Sequence, residues 1–327
     1  MSGLDLAKLP REATRDAYGG ELVEIGRQDP RVVALDADLS GSTRSAAFAA
    51  AFPDRFFNVG IAEQNMIGMA AGLAAAGKLP YASSFAIFAT GRAWEQVRQS
   101  VAYPRLPVRI AGSHAGVTVG PDGSSHQATE DIALMRVLPH MTVLVPADGV
   151  AVRGLVRASL DVAGPIYLRL GRPKVPVLYG PDGFAGGDFR PGGGRVLREG
   201  RDVTVVACGV LVAEALKAAD AAADEGLSVG VIDAYSVKPL AAAMVLAAAE
   251  QSGALVTAEE HSVIGGLGAA VAEVIGPAAP VPVVRVGLVD RFGESGEPDE
   301  LLKSCCLEGE HILAAIRRAV ALKPPPP

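Results

Sequence analysis

The chain has little cysteine and no long apolar run. Three Cys in 327 residues are too few for a disulfide framework, which favours a reducing compartment. Cys305 and Cys306 are adjacent, so they do not match the spacing of metal ligands and are unsuited to a disulfide with each other. The stretch 1–22 lacks the apolar core of a signal peptide, and no apolar run reaches the roughly 20 residues of a membrane helix. These absences predict a soluble, cytoplasmic protein without a membrane partner.

Basic charge is also scarce. The 30 Lys and Arg are outnumbered by 36 Asp and Glu, for a formal net charge of −6. No dense basic run is present, so nucleic acid is not an expected partner. Hydrophobic residues make up 50% of the chain, which is enough for a large core, and its length suits two domains better than one.

Short β-rich runs alternate with longer Ala-rich runs, a pattern typical of parallel βαβ units. The pattern predicts an α/β protein with two doubly wound domains. Helices are predicted at 12–26, 62–77, 88–102 and 148–162 in the first part. Strands are predicted at 31–38, 79–85, 107–114, 141–148 and 165–170, and then at 203–209, 229–237, 254–261 and 281–288.

A stretch dense in Gly and Pro separates the two series of strands and has no helical period. The last four residues are all Pro and can form neither helix nor sheet. The predicted organisation is therefore a first domain at 1–178, a linker at 179–200, a second domain at 201–323 and a disordered tail at 324–327.

The segment 56–77 places a carboxylate at the start of an apolar helix, where Glu63 follows Gly60. An acidic residue in a first helical turn complements the helix dipole by about 0.3–1 kcal/mol, which alone would explain it. However, the helix is apolar on most faces and should be buried, and a buried carboxyl needs a partner. Glu63 is therefore a candidate for sharing a proton with a ligand nitrogen.

The segment 109–131 contains His114, Asp122 and His126 on a glycine-rich loop between a strand and a helix. In a parallel sheet the carboxyl ends of the strands form the ligand crevice. Either histidine alone could be an ordinary solvated side chain, but the whole loop indicates binding. A metal site is weakly indicated, because no pair of His lies at helical spacing.

Further candidates follow other strands. Phe85 and Phe88 lie at a strand-to-helix corner, where they could fill the core or wall a flat heteroaromatic ring. Arg169 and Arg172 follow a later strand, and their guanidinium groups suit phosphate or carboxylate. The first strand ends near Asp38, with Ser42 in the polar stretch behind it.

Together and in this order, these segments resemble the pyrimidine-binding domain of transketolases. The resemblance runs from about residue 12 to residue 176, and GIAEQ at 60–64 and GPDGSSHQ at 120–127 carry most of it. The second domain is similar to the transketolase C-terminal domain through AEEHSVIGGLG at 258–268. The resemblance implies thiamine diphosphate as cofactor and transfer of a two-carbon ketol unit from a ketose to an aldose.

The resemblance also implies roles for the cofactor-binding candidates. Glu63 resembles the catalytic carboxylate that protonates N1′ of the aminopyrimidine. Phe85 and Phe88 resemble walls of the pyrimidine pocket, and Asp38 resembles another residue of that pocket. The family commonly has a third aromatic wall where this chain has Gly91.

For the substrate, His114, Asp122 and His126 resemble contacts to hydroxyl and phosphate groups, and both histidines are also expected to take part in catalysis. Ser42 and one of two arginines resemble contacts to the sugar phosphate. Arg169 and Arg172 are both candidates for that contact, and Arg172 matches the motif position better.

One departure from the family stands out. Full-length transketolases bind the diphosphate through Mg²⁺ with a Gly-Asp-Gly motif and a downstream Asn, and this sequence contains no Gly-Asp-Gly. The chain thus resembles the C-terminal subunit of a two-gene transketolase, with Mg²⁺ ligands expected from an N-terminal partner subunit. A homodimer alone and a heterotetramer with the partner are the expected assemblies. The alternatives are a 2-oxo-acid dehydrogenase β subunit, half of a 1-deoxyxylulose-5-phosphate synthase, and a non-catalytic assembly subunit.

Overall fold

The computed structural model describes residues 4–324. The predicted disordered tail at 324–327 lies outside the described residues apart from Pro324. Within the described range, no helix combines the length and the apolar character needed to cross a membrane.

Fourteen strands are described between residues 4 and 324. They are β1 (Arg11–Ala13), β2 (Val32–Asp36), β3 (Phe56–Asn58), β4 (Leu79–Phe85), β5 (Arg109–Ser113), β6 (Thr142–Leu144), β7 (Ile166–Arg169), β8 (Lys174–Pro176), β9 (Arg195–Arg198), β10 (Val203–Ala207), β11 (Val229–Asp233), β12 (Ser236–Lys238), β13 (Leu255–Ser262) and β14 (Val283–Leu288).

Twelve α-helices are described in the same range. They are α1 (Thr14–Gln28), α2 (Ser40–Thr43), α3 (Ala46–Ala51), α4 (Glu63–Ala75), α5 (Trp94–Gln96), α6 (Asp131–Arg136), α7 (Gly149–Ala158), α8 (Leu211–Asp224), α9 (Ala242–Ser252), α10 (Leu267–Ile275), α11 (Pro298–Ser304) and α12 (Gly309–Ala321). Two π-helical turns, Phe88–Arg92 and Val97–Ala102, flank α5.

The first sheet has seven strands in the order β12-β6-β7-β5-β4-β2-β3. All of its pairings are parallel except that of β12, which comes from the second half of the chain and lies antiparallel to β6. The central strands are buried along their whole length, as expected when helices cover both faces of a parallel sheet. Because these strands are parallel, their carboxyl ends meet at one edge.

The second sheet has the order β14-β13-β10-β11-β9. Its strands are parallel except for β9, which pairs antiparallel with β11 at the sheet edge. The predicted α/β class with two parallel-sheet domains is therefore confirmed. Strand β9 lies inside the predicted linker at 179–200, so the end of that segment belongs to the second sheet.

Candidate functional site

Glu63 begins helix α4 immediately beyond the carboxyl end of β3. Gly60 has φ +72, a conformation that glycine adopts without strain, and it turns the chain from the strand into the helix. Glu63 is 2% exposed, and both of its carboxylate oxygens accept hydrogen bonds from Arg92 Nη1 at 2.9 Å. The buried carboxyl of Glu63 thus has a charged partner, as burial requires. The sequence alone did not identify Arg92 as that partner.

Arg92 connects Glu63 to the aromatic residues. Its guanidinium lies over the Phe88 ring, 4.6 Å from the centroid, a cation–π contact worth about 0.5–2 kcal/mol. The rings of Phe88 and Phe85 are nearly parallel, with centroids 6.0 Å apart. At Gly91, a Cβ atom would meet only Ile87 Cδ1 within 4 Å, at 3.7 Å, so the place of the family's third aromatic wall is open.

Both histidines from the glycine-rich loop join these aromatic rings. His114 stacks on Phe85 with centroids 3.8 Å apart and an angle of 20° between the planes. His126 points its edge at Phe85 and Phe88, with centroids 6.0 and 5.4 Å away. Four residues predicted from two separate segments therefore form one cluster, which we call the aromatic cluster: Phe85, Phe88, His114 and His126.

The hydrogen bonds of His114 define its tautomer. Arg15 Nη1 lies 3.1 Å from His114 Nε2, and a guanidinium can only donate, so Nε2 accepts. We therefore assign the ring proton to Nδ1, which donates to Ser113 Oγ at 3.0 Å. Burial, and then the charges of Arg15 and neighbouring arginines, lowers the pKa of His114 to about 3. The imidazole is therefore neutral at physiological pH.

Arg15 was not predicted from the sequence. It lies in the first turn of α1, and its Nη1 also donates to the backbone oxygen of Ser42 at 3.0 Å. Its Nε is buried and has no hydrogen-bond partner among residues 4–324. A basic residue in the first turn of a helix interacts unfavourably with the helix dipole. This unfavourable placement is the feature of the sequence that could have marked Arg15 as a functional candidate.

Arg172 and Arg44 also carry positive charge near His114, although Arg44 Nε is paired with Asp16 Oδ1 at 2.6 Å. The charges of Arg15, Arg172 and Arg44 all act on His114, and burial followed by the charge of Arg44 lowers the pKa of Arg15. Guanidinium groups with an unused buried donor suit an anionic group that can accept several hydrogen bonds.

The structure separates the two arginines that follow β7. Arg169 is 6% exposed, and its guanidinium donates to Asp131 Oδ2 at 2.7 Å and to the Glu260 backbone oxygen at 2.9 Å. These internal partners occupy Nε and Nη2 of Arg169, which favours Arg172 over Arg169 as the predicted substrate contact. Arg172 is half-buried and donates to the Val119 backbone oxygen, and its charge acts on His114.

Ser42 lies in the short helix α2, which Asp36 holds in place. The Asp36 carboxylate accepts hydrogen bonds from Leu39 N at 2.6 Å, Thr43 Oγ1 at 2.7 Å and Ser45 Oγ at 2.9 Å. Burial raises the pKa of this carboxyl. The network brings the Ser42 backbone to Arg15, so Ser42 lies at the cationic end of the site.

Two other candidates lie outside the aromatic cluster. Asp38 is exposed with φ +64, and its carboxylate accepts a hydrogen bond from Asn58 Nδ2 at 3.3 Å. Asp122 is exposed on the loop, and no side-chain hydrogen bond of it is found in the described part of the chain. Neither residue contacts the aromatic rings, so their roles in binding stay predictions.

The site is a continuous series of contacts with opposite charges at its ends. A buried carboxylate stands at one end, aromatic rings lie between, and a cationic group with an unused donor stands at the other. A ring nitrogen could meet the carboxylate, and the aromatic walls could hold a flat ring. These residues fit the aminopyrimidine end of thiamine diphosphate. In order of contact they are Glu63, Arg92, Phe88, Phe85, His114, Arg15 and Ser42.

A different group of possible metal ligands lies around the start of α12. One ligand atom each from Glu308, Glu310 and His311 lies within 4.8 Å of the others. Glu310 is exposed, and exposed acidic groups are common without an ion. These residues belong to the second domain and do not contribute to the site described above.

Comparison with known proteins identifies both domains. The family model described as the transketolase pyrimidine binding domain matches residues 11–177, and that of the transketolase C-terminal domain matches residues 192–312. The 6-deoxy-6-sulfo-D-fructose transketolase subunit of Clostridium sp. (strain MSTE9) is 43% identical, over 97% of each chain. An apulose-4-phosphate transketolase subunit of Phocaeicola vulgatus is 37% identical, over 92% of this chain and 95% of that one.

A solved structure supports the same assignment. It is described as a split-gene transketolase in the form of an inactive β4 tetramer. It is 52% identical to this chain, with a TM-score of 0.88 over 95% of this chain and 99% of that one. The chain belongs to the transketolase family, in which it corresponds to the pyrimidine-binding and C-terminal domains.

Proposed function

We propose that this chain is the C-terminal subunit of a two-component transketolase that uses thiamine diphosphate. It transfers a two-carbon ketol unit from a ketose to an aldose when a diphosphate-binding subunit is present. The observation that carries the proposal is the series of contacts from the Glu63 carboxylate, through the aromatic cluster, to the Arg15 guanidinium. The relatives that are themselves transketolase subunits of the same extent support it.

Glu63 holds the proton-sharing position at the cofactor end of the site. Arg92 Nη1 donates to both carboxylate oxygens at 2.9 Å, and each oxygen keeps a further lone pair through which Glu63 can share a proton with a ring nitrogen. Phe85 and Phe88 exclude water and orient the ring. When bound, the cofactor supplies the carbanion chemistry of ketol transfer, while the protein positions the reactants.

The other end of the site selects the substrate. Arg15, Arg172 and Arg44 favour a ketose with an anionic group at the end away from its carbonyl. The named relatives act on a sulfonated and a phosphorylated sugar, and both sugars carry such a group. As the anion draws Arg15 away, His114 Nε2 becomes free to accept a hydrogen bond from a substrate hydroxyl. His126 and Asp122 contribute further hydroxyl or phosphate contacts from the same loop.

The diphosphate end of the cofactor belongs to the partner subunit. This chain has no Gly-Asp-Gly motif, and Mg²⁺ that holds the diphosphate would need several oxygen ligands from the protein. The partner therefore supplies those ligands, and the active site lies between the two subunits. The β4 form of the solved relative is described as inactive, as expected for such a subunit without its partner. We expect this chain to form a homodimer alone and a heterotetramer with the partner.

The decisive experiment combines the chain with a diphosphate-binding transketolase subunit, which is first sought in the gene next to its own. Ketol transfer is assayed with phosphorylated and sulfonated ketoses, for each chain alone and for the mixture, with Glu63→Gln as the inactive control. Activity should require both chains and Glu63. A mixture that forms a complex, binds thiamine diphosphate and transfers no ketol unit would support a non-catalytic assembly subunit instead.

A further inference from the structure

The loop that carries the predicted substrate residues is shaped by the second domain. Residues His114, Gly116, Gly120 and Gly123 all have φ between +56 and +84, in the left-handed region that L-residues other than glycine disfavour. A loop with this conformation needs external contacts to keep one shape, because it has no regular ladder of hydrogen bonds. The second domain provides those contacts.

Glu260 at the end of β13 makes the central contact. Its Oε1 accepts a hydrogen bond from the backbone N–H of Thr118 at 2.6 Å, and the residue is 3% exposed. The carboxyl fills the space above Gly116, where a Cβ atom would come within 2.2 Å of Glu260 Cδ. A charged acceptor in buried surroundings makes a strong hydrogen bond to the backbone. The loop backbone therefore both packs against the Glu260 side chain and donates a hydrogen bond to it.

Additional contacts pin the two sides of the same loop. Gln127 Nε2 donates to the backbone oxygens of Val117 at 3.0 Å and of Glu294 in the second domain at 2.9 Å. Arg169 donates to the Ala128 backbone oxygen at 3.2 Å and to that of Glu260 at 2.9 Å. Glu260 therefore binds the middle of the loop, while Gln127 connects the end of the loop to the second domain.

The neighbouring Glu259 provides a natural comparison. It is also buried, but its carboxylate accepts hydrogen bonds from Leu267 N at 2.6 Å and Gly268 N at 2.8 Å, at the start of α10. Adjacent residues of a strand face opposite sides, so one carboxylate stabilises its own domain while the other reaches the loop of the first domain. Both residues are buried glutamates. They differ in the backbone N–H groups that they accept from, which belong to the start of α10 for Glu259 and to the loop of the first domain for Glu260.

We propose that Glu260 is a positioning residue of the transketolase site, which holds the 114–128 loop so that His114 and His126 stand against Phe85 and Phe88. The inference rests on the proposed function and gives the C-terminal domain a part in substrate binding. What matters is the reach of the acceptor to Thr118 N–H. Glu260→Asp keeps the charge near Arg169 and withdraws the acceptor by one methylene. Glu260→Gln keeps an acceptor oxygen at the same reach.

The first test is amide hydrogen exchange of the full-length chain. In Glu260→Asp, the Thr118 amide should exchange roughly ten- to a hundredfold faster, as expected for loss of a hydrogen bond to a charged acceptor. Glu260→Gln, which keeps the acceptor oxygen and loses the charge, should exchange faster than wild type by roughly a few-fold only, and Glu259→Asp should accelerate exchange at the start of α10 instead. Unchanged exchange at Thr118 in Glu260→Asp, or the same acceleration in Glu259→Asp, would overturn the proposal.

The second test is kinetic and uses the complex with the partner subunit. In Glu260→Asp, KM for the ketose donor should rise on the order of tenfold, because displaced binding groups lose affinity, while thiamine diphosphate affinity stays at the wild-type level. Glu259→Asp should lower thermal stability and leave KM unchanged. An unchanged KM in Glu260→Asp despite faster loop exchange would show that Glu260 has only a structural role.

The two tests separate this inference from the proposed function. A wild-type complex without ketol transfer would refute the function, whereas the exchange result is measured on the chain alone. A wild-type complex that is active, with identical KM in Glu260→Asp and Glu260→Gln, would refute the positioning role and leave the function standing.

Discussion

Replacing Arg15 with methionine removes a guanidinium from the cationic end of the site and keeps most of the apolar stem. Arg15 Nη1 contacts His114 Nε2 at 3.1 Å and the Ser42 oxygen at 3.0 Å, and its buried Nε has no partner within residues 4–324. A hydrogen bond to a charged group contributes about 1.5–3 kcal/mol. Loss of one such bond to a substrate anion should therefore raise KM about ten- to 150-fold.

The assay compares steady-state kinetics of the two-subunit enzyme on an anionic ketose and on its neutral analogue. Arg15→Met should raise KM for the anionic ketose only, because the neutral ketose makes no bond to the guanidinium. Arg27→Met is the matched control, since Arg27 lies on the same helix but is exposed and paired with Glu24. Equal losses on both ketoses would refute the assignment of Arg15 to the anion.

A second readout of the same variant needs no substrate. The charge of Arg15 is the largest contribution after burial to the low pKa of His114, which is about 3. Removing it should raise this pKa toward the ordinary value, because a positive neighbour disfavours the imidazolium. The shift is measured by NMR titration of the ring protons. A His114 pKa that does not move would show that the Arg15 contact is absent in solution.

The remaining predictions concern chemistry, cofactor and stability. Glu63→Gln should abolish most turnover in the assembled complex and change thiamine diphosphate uptake little; near-normal kcat would contradict the role of Glu63. The isolated chain should bind thiamine diphosphate weakly and with little dependence on Mg²⁺, and tight chelator-sensitive binding in calorimetry would contradict this. Asp131→Ala should lower the free energy of unfolding by about 3–5 kcal/mol, because it leaves buried Arg169 without its carboxylate; a loss below about 1 kcal/mol in urea titration would contradict it. The folded pKa of His114 lies below its unfolded value. The stability that the neutral imidazole contributes is therefore fully present above about pH 6.5 and is lost as pH falls toward 3. Between about pH 6.5 and 5 the wild type should lose about 2 kcal/mol more than His114→Gln, and equal losses would argue against a buried neutral imidazole.

Local pattern determined much of the fold. Strand β4 occupies the predicted range 79–85, and β10 lies within the predicted 203–209. Strand β10 is recognisable because its β-branched run is bounded by charged and turn residues. The sequence also predicted that these side chains would lie together, since residues that follow parallel strands come to one sheet edge whatever the details of packing. Glu63, Phe85, His114 and Arg172 reach the site in this way.

Tertiary structure decided what depends on partners far apart in the chain. Arg92 and Arg15 meet Glu63 and His114 across 29 and 99 residues, and no local spacing encodes those pairs. The predicted helix at 88–102 contains two π-helical turns, and helical periodicity does not distinguish such turns from a regular helix over so short a stretch.

The same limit explains the antiparallel strands and the choice between Arg169 and Arg172 that the sequence left open. Strands β9 and β12 are short, and their pairing depends on sheet edges built from other parts of the chain. Arg169 and Arg172 follow the same strand and are equally basic in the sequence. Only the folded chain shows that Asp131 and Glu260 enclose the first and leave the second beside His114. The sequence by itself determined which residue types gather at the sheet edge. Packing between the two domains decided which of them face a ligand. A charged side chain is stable in the interior only when it is paired, and its partner comes from a distant part of the chain.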